Sequence, residues 1–273
     1  VAIAGLYYGV INSDTDHYCN GKIALGDRLY HCWKNNGHGL MNVDSSIKES
    51  CDVFFYEISK KIGIDRIAKV AQDFGLGKIY NIPLSNQKLG IIPSKKWKKQ
   101  KLGESWYPGE TLISAIGQGF VLANPLQLAN MTAIIASDGN IVEPKIINDN
   151  KKSDFENLKK YSEAIKIVKK SMFKVVNENK GTAFKSKSEE VIFAGKTGTS
   201  QVRRITVAER ESEDFRKKEV EWNKRDHALF VGYMPHDKPK YAISVVIEHG
   251  GSGASTAAPI AKQIFQFVNK IET

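Results

Sequence analysis

The segment Phe193-Ala194-Gly195-Lys196-Thr197-Gly198-Thr199-Ser200 constrains this chain more than any other stretch. It reads as a strand with glycines around a lysine and a threonine. Gly198 has no side chain, so a ligand can approach the backbone there. Lys196 supplies a fixed cation, and the Thr197 and Thr199 hydroxyls can donate to a carboxylate. The backbone N–H of Thr199 is an electrophilic donor. A strand edge of this kind can bind an extended peptide and polarise its carbonyl. A glycine-rich strand with two exposed threonines looks the same in letters, so the weight of the motif depends on partners elsewhere.

The surroundings supply a sheet. Residues 191–202, 228–234 and 241–248 are strand-like runs at short spacing, which predicts an antiparallel sheet with helices gathered in the rest of the chain. Residues 203–225, between the first two runs, form a charged insert that reads as a mobile excursion, a lid or a partner surface. Residues 1–10 read as the tail of a buried helix. Residues 11–42 have no period and read as an irregular excursion, which usually needs a local staple or a function. A helix begins near Asp44 or Ser45 and carries Ser50, and a second runs from Ile64 to Phe74 before Gly75. Residues 80–110 read as loop and 150–160 as polar linker. Pro125 opens a helix to about Ser137, Ser162 to Asn177 is an amphipathic helix, and a last helix spans about Ser255 to Ile271. The 273 residues suffice for one large domain with a real core.

Lys-Thr-Gly acquires meaning from Ser50-Cys51-Asp52, because Lys-Thr-Gly, Ser-x-x-Lys and a Ser-x-Asn-like triplet together mark the serine penicillin-recognising enzymes. With "NGHGLMNVDSSIKESCDVFFYEISKKIGIDRI", "WYPGETLISAIGQGFVLANPLQLANMTAIIASDG", "AGKTGTSQV" and "RDHALFVGYMPHDKPKYAISVVIEHGGSG", the chain resembles the class B penicillin-binding proteins over nearly its whole length. It is most similar to their elongation-specific branch, penicillin-binding protein 2, in which an acidic residue stands where Asp52 does. The resemblance implies an α/β chain of the α+β type with the penicillin-binding transpeptidase or serine β-lactamase-like fold, one domain over 1–273 whose N-terminal part is missing. It implies a peptidoglycan D,D-transpeptidase. Ser50 would extend a proton relay, and Asp52 would hold substrate or neighbouring side chains. Lys196, Thr197, Gly198 and Thr199 would bind the terminal carboxylate, with the Thr199 N–H completing an oxyanion hole.

No Ser-x-x-Lys stands ahead of the first helix in these residues. The family's Ser-x-x-Lys precedes a Pro and an apolar helix, and Val1-Ala2-Ile3-Ala4-Gly5-Leu6 resembles that helix just past the Pro. Ser45-Ser46-Ile47-Lys48 and Ser171-Met172-Phe173-Lys174 match the letters but not the order, and read as accidental. The nucleophile and its lysine are therefore expected upstream of residue 1, and residues 1–273 alone are expected to form no penicillin adduct. A scaffold of the same fold that lost its nucleophile is the alternative.

The three cysteines, with one histidine, give the spacing C-x12-C-x5-H-x12-C over Cys19, Cys32, His38 and Cys51. Three thiolates and an imidazole make a common closed zinc set, which would staple residues 11–51 behind Ser50. A Cys19–Cys32 disulfide with Cys51 free, or three unrelated thiols, remain open, since an oxidising compartment allows a bridge. His17 and His31 lie near enough to replace His38. The resemblance favours His38, in a turn the family shares, and some relatives carry a mixed Asp, His and Cys site here. No organic cofactor is expected.

Net charge is +10, from 40 Lys and Arg against 30 Asp and Glu. The cations are mostly scattered lysines, and the densest cluster, Lys95 to Lys101, has one Trp and no repeating aromatic platform. A nucleic-acid partner is not expected; a surface near anionic lipid or polymer fits equally well. No apolar run is long enough for a membrane span. The resemblance implies stem peptides, β-lactams, a membrane glycosyltransferase and elongation-complex proteins as partners. It places the protein on the periplasmic face of the inner membrane, held by an N-terminal anchor absent from this chain. Gly117-Gln118-Gly119 reads as a close-packing turn. Asp226-His227 reads as capping the insert or facing substrate, His249 as a turn histidine, and Trp106-Tyr107 as cleft wall or core.

Overall fold

The computed structural model describes residues 1–147, 157–203 and 220–272. Most of the charged insert expected at 203–225, and most of the linker expected at 150–160, lie outside the described residues. The chain begins with α1 (Ala2–Tyr7) and then forms two small ribbons. These are β1 (His17–Cys19) paired antiparallel with β4 (Gly39–Met41), and β2 (Lys22–Leu25) paired with β3 (Arg28–His31). The stretch expected to be irregular is thus built of strands three or four residues long. Strands so short show no readable period. They are cinched where Gly21 and Gly37 cross: a Cβ on Gly37 would lie 2.1 Å from the Cys19 carbonyl oxygen.

Helices follow: α2 (Val43–Glu49), α3 (Asp52–Ile62), α4 (Ile64–Asp73), α5 (Lys95–Leu102), α6 (Pro108–Ala115), α7 (Pro125–Ala136) and α8 (Ser162–Asn177). Asn42 caps α2 in a reciprocal box with Ser45. Ile165, Val168, Met172, Val175 and Val176 form the buried stripe of α8, at the spacing the sequence shows. The expectation of loop through 80–110 is corrected by α5. Ser94 caps its N-terminus and Gly103, in the left-handed region, ends it. It carries no apolar stripe. Its buried member is Lys98, 1% exposed, which pairs with Glu110 at 2.5 Å and lies over the Tyr107 ring.

The C-terminal sheet has the order β5 (Ala194–Ser200), β6 (His227–Met234), β7 (Tyr241–Ile247), all antiparallel. A wider helical turn at Gly253–Ala257 leads into α9 (Ala258–Glu272). Alternate residues of β6 serve opposite faces. Phe230 meets Phe193, which packs on Phe265 of α9. Tyr233 turns the other way, toward His236, which packs on Phe173 of α8. The sheet therefore lies between α8 and α9, with β5 at its edge.

Gly195 is where β5 meets that core. A Cβ there would lie 2.2 Å from Phe230 Cζ and 2.5 Å from the Val231 carbonyl oxygen. Phe230 is fully buried and has no room to retreat. Gly195→Ala is expected to destabilise the fold by about 2–3 kcal/mol, the range for overpacking a tight core. A lower urea midpoint at unchanged slope will show it.

Candidate active site and metal centre

The helix expected to carry Ser50 is broken there. Ser50 adopts φ 56°, ψ 51°, the left-handed region, and separates α2 from α3. A non-glycine residue in that conformation costs on the order of 1 kcal/mol or more, and such strain gathers at functional positions. Ser45 therefore lies within α2 and Ser50 at the break that ends it, rather than both on one continuous helix. The break aims the Ser50 hydroxyl at β5, where the Lys196 ammonium donates to it.

Lys196 also donates to the Thr197 carbonyl at 2.9 Å. Burial of the ammonium pushes its pKa down to about 8, and the Asp52 carboxylate partly opposes that shift. Asp52 opens α3 and accepts from the Trp33 backbone N–H at 2.8 Å. Burial, then the charge on Cys32, pushes its carboxyl up to about 7. Its hydrogen bond in this structure goes to the ribbon segment. Trp33 also donates through its indole to the Glu49 carbonyl at 3.1 Å, seating the ribbons on the α2–α3 junction.

Gln118 Nε2 donates to the Thr199 carbonyl at 2.9 Å. Gln118 is not on β6, so Thr199 directs its carbonyl, and with it its N–H, away from β6 toward the open edge. Thr197 shares that orientation, one pleat along. The edge thus presents an outward N–H beside a lysine cation and a serine hydroxyl. Thr182 Oγ1 lies 2.7 Å from Thr197 Oγ1, and the Thr182 N–H donates to the Lys48 carbonyl at 3.1 Å. Sequence reasoning passed over Thr182 and took Gln118 only as part of a packing turn. The cue for Thr182 was Gly181, whose Cβ would lie 2.3 Å from the Val175 carbonyl oxygen, so the chain must fold back tightly there.

The two Ser-x-x-Lys matches lie in structural roles. The Ser171 hydroxyl donates to Asp44 Oδ1 at 2.8 Å and Lys174 to Asp44 Oδ2 at 2.6 Å, joining α8 to α2. Ser45 belongs to the cap of α2. Asp226 accepts from Val202 N–H at 3.2 Å, and His249, at φ 54°, pairs through Nδ1 with the Arg225 carbonyl. Both tie loop ends beside β6. Trp106 donates to Thr111 at 2.8 Å, while Tyr107 is exposed at the start of α6.

Behind Ser50 the ribbons bring Cys19, Cys32, His38 and Cys51 together, with their donor atoms all within 4.8 Å of one another. All three thiols are free and buried. His38 Nδ1 lies 3.6 Å from Cys19 Sγ and 3.5 Å from Cys32 Sγ. A tetrahedral ion with metal–sulfur bonds of ~2.3 Å and metal–nitrogen bonds of ~2.05 Å would set that edge at about 3.6 Å. The hydrogen bond from Cys51, aided by His38, holds the Cys32 thiol far below the usual thiol range, while the shared contact and burial push Cys51 up. The donor set fits a structural zinc ion.

A sheet edge carrying Lys-Thr-Gly, opposed by a serine held in a helix break, defines a penicillin-recognising transpeptidase domain. Residues 1–266 match the family model for the penicillin binding protein transpeptidase domain, and the chain belongs to that family. It is 32% identical to the peptidoglycan D,D-transpeptidase MrdA of Haemophilus influenzae, over 98% of this chain and 42% of that protein. Among solved structures it is similar to the penicillin-binding protein (PBP2) in a complex with MreC from Helicobacter pylori. That match has a TM-score of 0.84 at 30% identity, over 99% of this chain and 48% of the other. It is also similar to Pseudomonas aeruginosa PBP2 in complex with WCK 5153, with a TM-score of 0.84 at 33% identity, over 98% and 58%. The chain spans less than half the length of the curated relative.

Proposed function

We propose that this chain is the substrate-holding part of a peptidoglycan D,D-transpeptidase that cross-links stem peptides during cell elongation. The observation that carries the reading is the pairing of Lys196 with Ser50 beside the outward N–H of Thr199. An extended stem peptide pairs with β5, and its terminal carboxylate meets Lys196 and the Thr197 and Thr199 hydroxyls. The nucleophilic serine, with its lysine, is supplied from outside these 273 residues, since Ser45 and Ser171 are engaged elsewhere. Its oxygen bonds the penultimate D-Ala carbonyl carbon, and its proton passes to the base. The Thr199 N–H takes the developing oxyanion. The peptide C–N bond then breaks and D-Ala leaves as an amine, carrying a proton. An amine of a second strand then displaces the serine and takes the acyl group. β-Lactams acylate the same serine by opening their ring amide.

Cys19, Cys32, His38 and Cys51 would hold one zinc ion. Four protein ligands would leave no open position, and the ion would supply rigidity to the segment behind Ser50 and Asp52. The protein works at the periplasmic face of the inner membrane, beside a glycosyltransferase and an MreC-like partner. No helix among the described residues is long and apolar enough to cross a membrane.

A fluorescent penicillin tests the reading. The full-length protein is expected to retain covalent label after denaturation, and residues 1–273 alone are expected to retain none. A folded but unlabelled full-length protein supports the scaffold alternative. Label on residues 1–273 places the nucleophile inside the chain.

A further inference from the structure

Thr199 offers a pair of groups on the open edge of β5. An extended peptide that adds to this edge accepts from the Thr199 N–H and donates its own N–H to the Thr199 carbonyl. In the structure the carbonyl is already taken, by Gln118 Nε2 at 2.9 Å. The facing atom must be the nitrogen of the amide, because a carbonyl oxygen only accepts. A side-chain amide therefore occupies the place of a peptide N–H.

The geometry makes this a movable arm on a fixed base. The Gln118 backbone N–H is held by the Ile113 carbonyl at 3.1 Å, at the end of α6. Gly117 and Gly119 flank it at φ 78° and 71°, a conformation that suits glycine and turns the side chain out of the helix line. Thr199 is exposed and Gln118 partly exposed, so the bond sits at a wet rim. Across the strand, Lys196 occupies the neighbouring edge carbonyl of Thr197. The outward acceptors at Thr197 and Thr199 are thus satisfied by the protein itself.

We propose that Gln118 is a latch on the substrate edge, a stand-in for the peptide N–H on the Thr199 carbonyl that an extended acyl donor must displace. The inference rests on the transpeptidase reading of β5. In the free protein the latch holds the outer end of β5 in place; on binding it releases, at a cost in apparent affinity. Gln118 touches no reacting atom, so its effect falls on the initial complex and not on the chemical step. One neutral hydrogen bond at a partly exposed site is worth roughly two- to tenfold in an equilibrium constant.

The test uses the full-length protein, wild type and Gln118→Met, which keeps the length of the side chain and removes the amide. Two ligands are compared: benzylpenicillin, whose acylamino N–H can take the Thr199 carbonyl, and unsubstituted penicillanic acid, which has no such donor. The initial dissociation constant and the acylation rate constant are measured separately. The latch predicts that Gln118→Met tightens the benzylpenicillin complex by roughly two- to tenfold, with the acylation constant and penicillanic acid binding unchanged. An unchanged or weakened benzylpenicillin complex overturns it. Weakening of both ligands together with a lower melting temperature assigns Gln118 a purely structural role and also overturns it. A folded wild-type protein that neither penicillin acylates removes the transpeptidase reading itself, a separate failure.

Discussion

Cys32→Ser is expected to abolish stoichiometric zinc in the purified protein and to lower its melting temperature by roughly 6–12 °C. The four donor atoms already lie within 4.8 Å of one another, with His38 Nδ1 3.5 Å from Cys32 Sγ. A serine hydroxyl is a poor replacement for a thiolate, and a closed site that loses one ligand loses most of its affinity. Without the ion, two buried thiols and the half-buried His38 are left with no charge to meet. A loss of about 3 kcal/mol corresponds to that shift in a domain of this size. Strong chelation of the wild type is expected to give the same shift, and β-lactam acylation of the full-length protein is expected to fall with it, because Cys51 lies between Ser50 and Asp52. A wild-type protein without zinc, with two of its three thiols blocked to alkylation, would replace the metal with a Cys19–Cys32 disulfide.

Lys196→Ala is expected to slow acylation of the full-length protein by about 10²–10³-fold, the loss typical when a fixed electrostatic partner is removed from a reacting centre. It removes the cation for the ligand carboxylate and the donor that orients Ser50. The pH dependence separates these duties from mere packing. Burial lowers the Lys196 pKa from 10.5 to about 8. The ammonium is complete below that value and is lost as the pH rises through it. The second-order acylation constant reports ionisations of the free protein, so it will decline through about pH 8, whereas an unperturbed lysine would hold its charge beyond pH 10. In Lys196→Arg, which stays charged, that alkaline limb will be missing. A wild-type profile flat to pH 10 would mean that Lys196 is not the cation in use.

Much of the frame was legible in the letters. The α8 stripe and Pro125 at the start of α7 declare helices by spacing and cap. The strands β5 to β7 declare themselves by composition and close succession. The clustering of Cys19, Cys32 and Cys51 with His38 was legible in part, because cysteine is scarce here and all three fall early in the chain, but His17 and His31 lie as near in sequence. Other features were hidden for physical reasons. The helix α5 is packed through a lysine, and a periodicity of apolar residues does not register a cation buried between two carboxylates and aromatic rings. The break at Ser50 uses a left-handed serine, where a reader of sequences looks for glycine. Gln118 meets Thr199 across 81 positions, and no local rule links them. Thr182 was obscured by a tight return after α8 that only Gly181 hinted at.

The crowding behind β5 bears on how this surface can change over generations. With Phe230 filling the space behind Gly195, and Gly253 so close that a Cβ there would lie 2.3 Å from the Gly198 carbonyl oxygen, the strand has no slack on its inner side. A change beneath the strand is therefore expected to cost stability, as Gly195→Ala does. Variation is better accommodated at the rim, at Gln118 and its neighbours, where one side chain can alter what is admitted without moving the floor.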